Sequence, residues 1–439
     1  MVCLNEKRAV VHLDLDTFFV SVERMRDRRL AERPLIIGGT GGRGVVSSCS
    51  YETRKFGVRS GMPMKMARRL CPDATIISGD FEQYSKYSDL VTEVVREESP
   101  LFEKASIDEF YIDMTGMERF FGTFKWSRHL SGRITKETGL PISFGLAGNK
   151  TVAKVATGEH KPQGQGYIKR GEEQAFLDPL HVRKIPMVGE KTGQHLINLG
   201  VRKVRTLRDI PREVLVRLLG KPGMTLYHRA RGKDDTPVVP YNERKSISSE
   251  RTFAEDTIDL TGLRATLIGM TEKLAFSLRD DQKLTACITV KIRYADFNTV
   301  TRQARIPYTA VDHVLSDKAI ELFDQLYDRR QRIRLIGVRF SHLIHGGYQI
   351  NLFEDTQKQI RLYQAIDRMK HRFGAGAVMR ASAVGGVGAR EPQSDLRGAG
   401  RRPGDGAANP RGERSAEGST MEGVPTLSNP PGRVRRAGR

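Results

Sequence analysis

Tryptophan occurs once in 439 residues and cysteine four times, and aromatic residues make up only 7% of the chain. Cys3, Cys49, Cys71 and Cys287 are scattered, and none stands in a CxxC pair. That pattern argues against a disulfide framework and a structural zinc site, and it suits a reducing compartment. Long apolar runs are missing too: none approaches the ~20 residues needed to span a bilayer. The N-terminus, MVCLNEKRAVVHLDLD, carries charge where a secretory leader has an apolar stretch. A cytoplasmic protein with no membrane segment is expected. Negative charge is also short. Asp and Glu number 52 against 73 Lys and Arg, a net charge of +21. Such an excess implies a polyanionic partner, because cations that neutralise phosphates release condensed counterions. It narrows the partner and not the job, since DNA enzymes and DNA-binding proteins share it.

The length exceeds one hydrophobic core, so three or four domains are expected. Arg8–Leu15 (RAVVHLDL) is short and β-branched and reads as a buried strand. A helix near Phe81–Glu98 follows, then strands Phe102–Ile107 and Phe110–Met114, a helix near Arg119–Thr138 and the strand Pro141–Ala147. With residues 19–80 set aside as an insertion, the order is β-α-β-β-α-β, a split βαβ sheet with helices on one face. Between Phe176 and Pro237 short helices alternate with Gly- and Pro-bearing turns. After the polar stretch Pro240–Lys245 the same order returns. It comprises strand Glu250–Ala254, helix Leu260–Arg279, strands Leu284–Tyr294 and Thr299–Ile306, helix Asp312–Asp328 and strand Ile333–Ser341. In its middle strand Ile288, Val290, Ile292 and Tyr294 share one face, and Thr289, Lys291 and Arg293 the other. A basic sheet face is by itself ordinary solvated surface. Gln357–Phe373 reads as an amphipathic helix, and residues 382–439 as a disordered basic tail too poor in apolar surface to offset ordering entropy.

The sharpest local feature is acidic. Asp14-Leu15-Asp16 ends the first strand, and Asp108-Glu109 stands where two later strands meet. If those strands are neighbours, the carboxylates converge and repel unless a cation lies among them. Mg²⁺ suits an all-oxygen site that leaves room for substrate phosphates. Two such ions can activate a hydroxyl and stabilise a leaving oxygen, the requirement of nucleotidyl transfer. Either acidic pair alone would pass for solvated turn residues; two pairs on adjacent strands favour chemistry. Gly39-Thr40-Gly41-Gly42-Arg43-Gly44 fits GxGxxG but continues into a strand with no acidic residue ~20 positions on, so it reads as a glycine-rich hairpin rather than a dinucleotide site.

Four segments in order, HLDLDTFFVSVE, SCSYETRKFGVRSGMP, ASIDEFYIDMT and GLAGNKTVAKVATGEHKPQG, resemble the successive palm and fingers motifs of Y-family DNA polymerases. The likeness runs from about Ala9 to about Phe353. It implies an α+β multidomain right-hand polymerase: a split βαβ (ferredoxin-like) palm (1–18 and 81–172), a small fingers insertion (19–80) and a helical helix-hairpin-helix thumb (173–239). A linker (240–247) and a β-α-β-β-α-β little finger (248–345) would follow. By the same resemblance Asp14 and Asp108 bind both of two Mg²⁺ ions, Glu109 completes the ion at the primer 3′-hydroxyl, and the Leu15 carbonyl touches the nucleotide-bound ion. Phe19 stands at the steric-gate position, Ser47 and Ser48 form an open roof over the nascent pair, and Tyr51, Arg54 and Lys161 hold the dNTP triphosphate.

Lys184–Thr192 resembles a helix-hairpin-helix in which Gly189 and Lys191 would face a DNA phosphate, with Met187 where the first hairpin glycine is usual. Arg251, Lys291 and Arg293 would meet template phosphates, contacts that position without reading sequence. Gln349, Leu352 and Phe353 match QxxLF, a peptide for the bacterial sliding clamp within residues 346–355, followed by a helical segment over 356–381. The function implied is low-fidelity translesion extension of a primer on template DNA with dNTPs, without proofreading, by a monomeric, nucleoid-associated cytoplasmic enzyme. A catalytically inactive DNA- and clamp-binding relative is the rival from a different class. A nucleotide cyclase is the rival palm enzyme, and it would have no use for the hairpin or QxxLF.

Overall fold

The first strand, Val10–Leu15 (β1), alternates so that Val11, Leu13 and Leu15 join a hydrophobic core while His12 and Asp14 face the other way. The computed structural model describes residues 8–240, 243–328, 331–346 and 356–386. After β1, Thr17 takes a left-handed φ of 44° and starts the helix Phe18–Arg26 (α1). Strands Leu35–Gly38 (β2) and Val46–Cys49 (β3), helices Tyr51–Lys55 (α2) and Met64–Leu70 (α3) and strand Thr75–Ile77 (β4) then make a small three-stranded unit ordered β3-β2-β4. It is the expected insertion, and the glycine-rich stretch is indeed the β2–β3 hairpin.

The chain then returns to the first sheet through helix Phe81–Glu98 (α4), strands Phe102–Lys104 (β5) and Glu109–Asp113 (β6), helices Glu118–Phe121 (α5) and Thr123–Thr138 (α6) and strand Ile142–Ala147 (β7). Helix Lys150–His160 (α7) and strand Gln165–Tyr167 (β8) complete it, in the order β5-β6-β1-β7-β8. Asp80 caps α4 by accepting from the Gln83 N–H, and Tyr84, Val91, Val94 and Val95 give the helix a buried stripe. Together with Trp126, Leu130 and Ile134 of α6 these side chains pack on Val11, Leu13, Phe110, Ile112 and Phe144 of the sheet. Two features differ from expectation. The helix expected over 119–138 is broken at Gly122, whose φ of 72° ends α5 and starts α6. Helices are also not confined to one face. α7 lies on the other, because Gly145 of β7 has no Cβ: one built there would fall 2.3 Å from the Ala153 carbonyl oxygen.

Five helices follow, Glu173–Leu177 (α8), Glu190–Asn198 (α9), Val204–Arg208 (α10), Arg212–Leu219 (α11) and Lys221–Arg229 (α12), packing through Leu196, Leu207, Leu215 and Leu226. The last sheet comprises Ser246–Thr257 (β9), helix Leu260–Asp280 (α13), Lys283–Tyr294 (β10), Thr299–Thr309 (β11), helix Asp312–Leu326 (α14) and Ile333–His345 (β12), ordered β11-β10-β12-β9. β9 begins at Ser246, four residues before the strand expected from hydrophobicity. Its serines find their ladder partners on β12, a pairing that hydrophobic periodicity cannot reveal.

Thr356–Phe373 (α15) forms where the amphipathic helix was expected but stops at Gly374, whose φ is 96°, short of the 381 expected for the helical segment, and it docks on α13 and α14. Arg279 donates to Asp367 at 2.7 and 2.8 Å while also pairing with Asp312, and the buried Tyr363 hydroxyl meets His313 Nδ1 at 2.9 Å. Ala381–Ala383 form a short 3₁₀ turn against α13, so the expected disordered tail does not start at 382. The rest of that segment, and the clamp-peptide residues Gln349, Leu352 and Phe353, lie outside the described residues.

Candidate active site

Antiparallel pairing sets Asp14 of β1 directly across from Glu109 of β6, and His12 across from Tyr111. Just beyond the ladder the Leu15 N–H donates to the Asp108 carbonyl at 3.0 Å. The Asp14 and Glu109 carboxylates, from segments more than ninety positions apart in the sequence, therefore meet at one end of these strands as the sequence reading expected, whereas Asp108 is brought beside them through its backbone and its carboxylate is not among the donor atoms gathered there. Asp108 is fixed at a tight turn, where its carboxylate accepts from the Ser106 hydroxyl at 2.6 Å.

Lysines balance this charge. The Lys161 ammonium pairs with Asp14 and lies 3.5 Å from Asp16, and Lys154 donates to Glu109 at 2.5 Å. Burial, only partly offset by Lys161, pushes the Asp14 carboxyl up to about 7, and the charges of Glu109 and Asp108 add to the rise. Burial also opposes ionisation of Glu109, but its contacts with His12 and Lys154 hold it down at about 2. His12, fully enclosed, is lowered to about 4 by that burial and is neutral at physiological pH. Lys154 is then the cation facing Glu109. An acidic cluster whose neighbours raise Asp14 and which draws ammonium groups onto itself is a donor set suited to hard divalent cations. His12, Asp14 and Glu109 each offer a ligand atom within 4.8 Å of the others.

Asp16 is different. It is buried, and it accepts from the Ser143 hydroxyl (2.8 Å), the Gln163 N–H (2.7 Å) and the Tyr51 hydroxyl (3.2 Å). It ties β1 to β7, to the loop carrying Lys161 and to α2. Tyr51 thus points at Asp16, and Arg54 stacks over its ring at 4.9 Å. Burial raises the Tyr51 phenol, with the Asp16 charge adding. Of the two adjacent phenylalanines, Phe18 is core and Phe19 half-buried, stacked face to face on Tyr84 at 4.1 Å. Ser48 is half-buried on β3, beside the exposed Ser47.

A cavity of about 640 Å³ joins Asp14, Lys154 and Lys161 to Ile185, Met187 and Gly189 of the hairpin that precedes α9. Met187, in the position where glycine is usual, adopts the left-handed φ of 79° that glycine would supply, so the sharp turn survives. Gly189 caps α9 and Lys191 is exposed in its first turn, but only a 3₁₀ turn, Val182–Lys184, precedes the hairpin. On the last sheet Lys291 pairs with Glu250, and Arg293 donates to Thr299 at 2.9 Å. Arg251, on β9 opposite Ile336, also has interacting neighbours. The register therefore sets Arg251 on the helix-covered face with Ile336 and Phe253, and the open face carries Lys291 and Arg293, both internally paired.

Sequence reasoning missed His12, Ser143, Lys154 and Thr157. The signal for His12 was its place two residues before Asp14, on the same strand face. The others are ordinary residues whose role exists only through the packing of α7 and β7.

The impB/mucB/samB family matches residues 13–158, and its C-terminal domain matches residues 244–352. A protein named DNA polymerase IV from Dehalococcoides mccartyi is 38% identical over 375 residues, 84% of this chain and 96% of that one. Another of that name from Methanoculleus marisnigri is 38% identical over 346 residues, 77% of this chain and 95% of the relative. Among solved structures, the Y-family DNA polymerase chimera Dbh-Dpo4(243-245)-Dbh superposes with a TM-score of 0.66 at 26% identity, covering 77% of this chain and all of that one. The chain belongs to the impB/mucB/samB family and is a Y-family translesion DNA polymerase similar to those named DNA polymerase IV.

Proposed function

We propose that this enzyme extends a primer 3′ end on template DNA with dNTPs, releases pyrophosphate, and uses Mg²⁺ held by Asp14, the Leu15 carbonyl, Asp108 and Glu109. The observation that carries this reading is the register Asp14–Glu109 with the Leu15–Asp108 bond beside it. When bound, two Mg²⁺ ions would supply charge neutralisation and an acidified hydroxyl. The chain's own part is positioning. Asp16, anchored by three hydrogen bonds, fixes the loops bearing Lys161 and Tyr51 around the carboxylates. Lys161 and Arg54 offer cations to a triphosphate, and Tyr51 a phenol. Phe19, held flat on Tyr84, serves as the gate against a ribose 2′-hydroxyl. Small Ser47 and Ser48 leave the roof open, which favours low fidelity, and we assign no proofreading centre.

In domain terms, residues 1–18 and 81–172 would form the palm, 19–80 the fingers, 173–239 the thumb, 240–247 a linker and 248–345 the little finger. Gly189 and Lys191, with Lys291 and Arg293, would hold duplex phosphates on either side. Gln349, Leu352 and Phe353 would tether a monomeric enzyme to the sliding clamp, in the cytoplasm at the nucleoid.

Primer extension tests this reading. Wild-type protein should add dNTPs only with a divalent cation, and Asp108→Ala should abolish addition while leaving primer-template affinity unchanged. An Asp108→Ala enzyme that still extends would sink the assignment. Removing residues from Gln349 onward should spare distributive synthesis and cost clamp stimulation, and stimulation that persists would place the tether elsewhere.

A further inference from the structure

The glycine-rich stretch Gly39–Gly44 forms the β2–β3 hairpin and has no part in the chemistry assigned above. The Gly44 N–H closes a turn on the Gly41 carbonyl at 2.9 Å, with Gly42 and Arg43 at its corners. The two arms press together because they lack side chains. A Cβ on Gly44 would lie 1.8 Å from the Gly39 carbonyl oxygen, and one on Gly38 would lie 2.2 Å from that of Val45. A hairpin this tight has few ways to move, and the one long side chain in it is Arg43.

Arg43 reaches across to the last sheet. Its Nη1 donates to the Asp256 carboxylate at 2.6 Å and to the Phe253 carbonyl at 3.1 Å, both on β9 and more than two hundred positions away in the sequence. The Arg43 and Asp256 side chains are only 24% and 21% exposed. A hydrogen bond between two ionised, partly desolvated groups is stronger than one on open surface. β9 is shaped to make it. Thr252 pairs with Leu335 of β12 and Thr257 with Ile333, so Phe253–Asp256 bulge out against the single residue Arg334. The bulge turns the Phe253 carbonyl to Arg43, while the Phe253 ring stays in the core of the sheet. Arg43, with Arg334 and Arg332 adding to it, holds the Asp256 carboxyl below its usual range.

The chain enters this sheet by one covalent path. Its start is fixed: Val238 is buried against Val10 and Tyr111, and the Val239 N–H donates to Glu103 at 2.8 Å. A body attached at one point can turn about it, and a second attachment removes that freedom. We propose that Arg43 and the Phe253–Asp256 bulge form an intramolecular latch that locks the last sheet to the inserted unit of residues 19–80. It thereby holds the cationic face of Lys291 and Arg293 in fixed relation to Tyr51 and Arg54 of that unit. The inference rests on the reading of that face as the duplex grip.

Charge reversal separates a latch from plain electrostatics. If Arg43 only attracted DNA, Arg43→Asp would speed release of a duplex and Asp256→Arg, which adds a cation, would slow it. The latch makes both speed it, because each leaves two like charges facing each other. The full chain, with no dNTP present, is loaded with a fluorescent primer-template and chased with unlabelled duplex. Each single variant should release it about tenfold faster, the scale of one charge-assisted hydrogen bond, and the double variant Arg43→Asp with Asp256→Arg should return to within about twofold of the parent. Spin labels at Lys55→Cys and Asp317→Cys, both exposed positions, read the latch directly without DNA. One narrow distance distribution is expected in the parent and the double variant, and a broad one in each single variant.

Release that shifts in opposite directions in the two single variants, or a double variant that fails to restore it, overturns the proposal. So does a distance distribution that no substitution changes. Broadened distances with unaltered release show a contact that does not govern the grip, and overturn it as well. A parent chain that binds no primer-template sinks the duplex-grip reading, and this inference with it, before any substitution is made.

Discussion

The two large sheets of this protein share a strand–helix order and use their second faces in opposite ways. In each, α-helices cover one face with a core: α4 and α6 on the first sheet, α13 and α14 on the last. On the first sheet the other face is itself covered, by α7, and its polar residues are buried: His12, Asp16 and Ser143 are at most 1% exposed. On the last sheet the other face is open, with Lys291 and Arg293 in contact with Glu250 and Thr299. Burial turns a row of acids into a perturbed cluster whose pKa values spread from about 2 to about 7. Exposure leaves a row of cations as a screened electrostatic surface. One topology thus yields a reactive centre where its second face is sealed and a gripping surface where it is not.

That contrast can be broken at several points. The largest effect expected is on sugar selection. Phe19→Ala removes the ring stacked on Tyr84 of α4 and should raise ribonucleotide incorporation on the order of 100-fold, equivalent to ~3 kcal/mol of lost discrimination. Competition between ATP and dATP in single-turnover extension reads it out, and an unchanged ratio would remove the gate. Next comes the seal itself. Gly145→Ala forces α7 away from β7 and should cost about 1–3 kcal/mol of stability by urea unfolding. The same methyl placed at the exposed Gly189, where nothing lies within 4 Å, should cost far less.

The open face should respond to salt and not to chemistry. Lys291→Ala with Arg293→Ala should weaken duplex binding about tenfold, equally for all template sequences, and flatten the salt dependence by about two phosphate equivalents. A change in the single-turnover rate at saturating DNA would contradict the comparison. Smallest is the effect of the buried acid on stability. Folding lifts the Asp14 carboxyl from 3.8 to about 7, so the native state binds the extra proton. Its contribution is most favourable below pH ~4 and is lost as pH rises through 7. Asp14→Asn should therefore raise the Tm of the cation-free protein by roughly 2–4 °C at pH 8 and by much less at pH 4.5.

Much of this was legible beforehand where chemistry and periodicity coincide. Asp14, Asp108 and Glu109 declared themselves through unusual acidic pairs at strand ends, and α4 and α13 through their helical patterning, while the Asp80 and Asp259 caps that start those helices were read only from the structure. Met187 was read correctly as occupying a glycine position, but only the backbone reveals that it accepts the left-handed φ there. Residues whose role is a partner across the fold stayed silent. Lys154 looks like any surface lysine of a basic chain until β6 and α7 bring it onto Glu109, and Lys161, singled out only for a triphosphate, is found paired with Asp14.

Local pattern determined the elements, the inserted unit, the acidic pairs and the cationic excess, because helix and strand periodicity and net charge are properties of neighbouring residues. Tertiary structure alone decided which face was sealed and which carboxylate kept its proton. Those outcomes depend on desolvation and on a helix approaching within van der Waals distance of Gly145, and neither is written in any single stretch of chain.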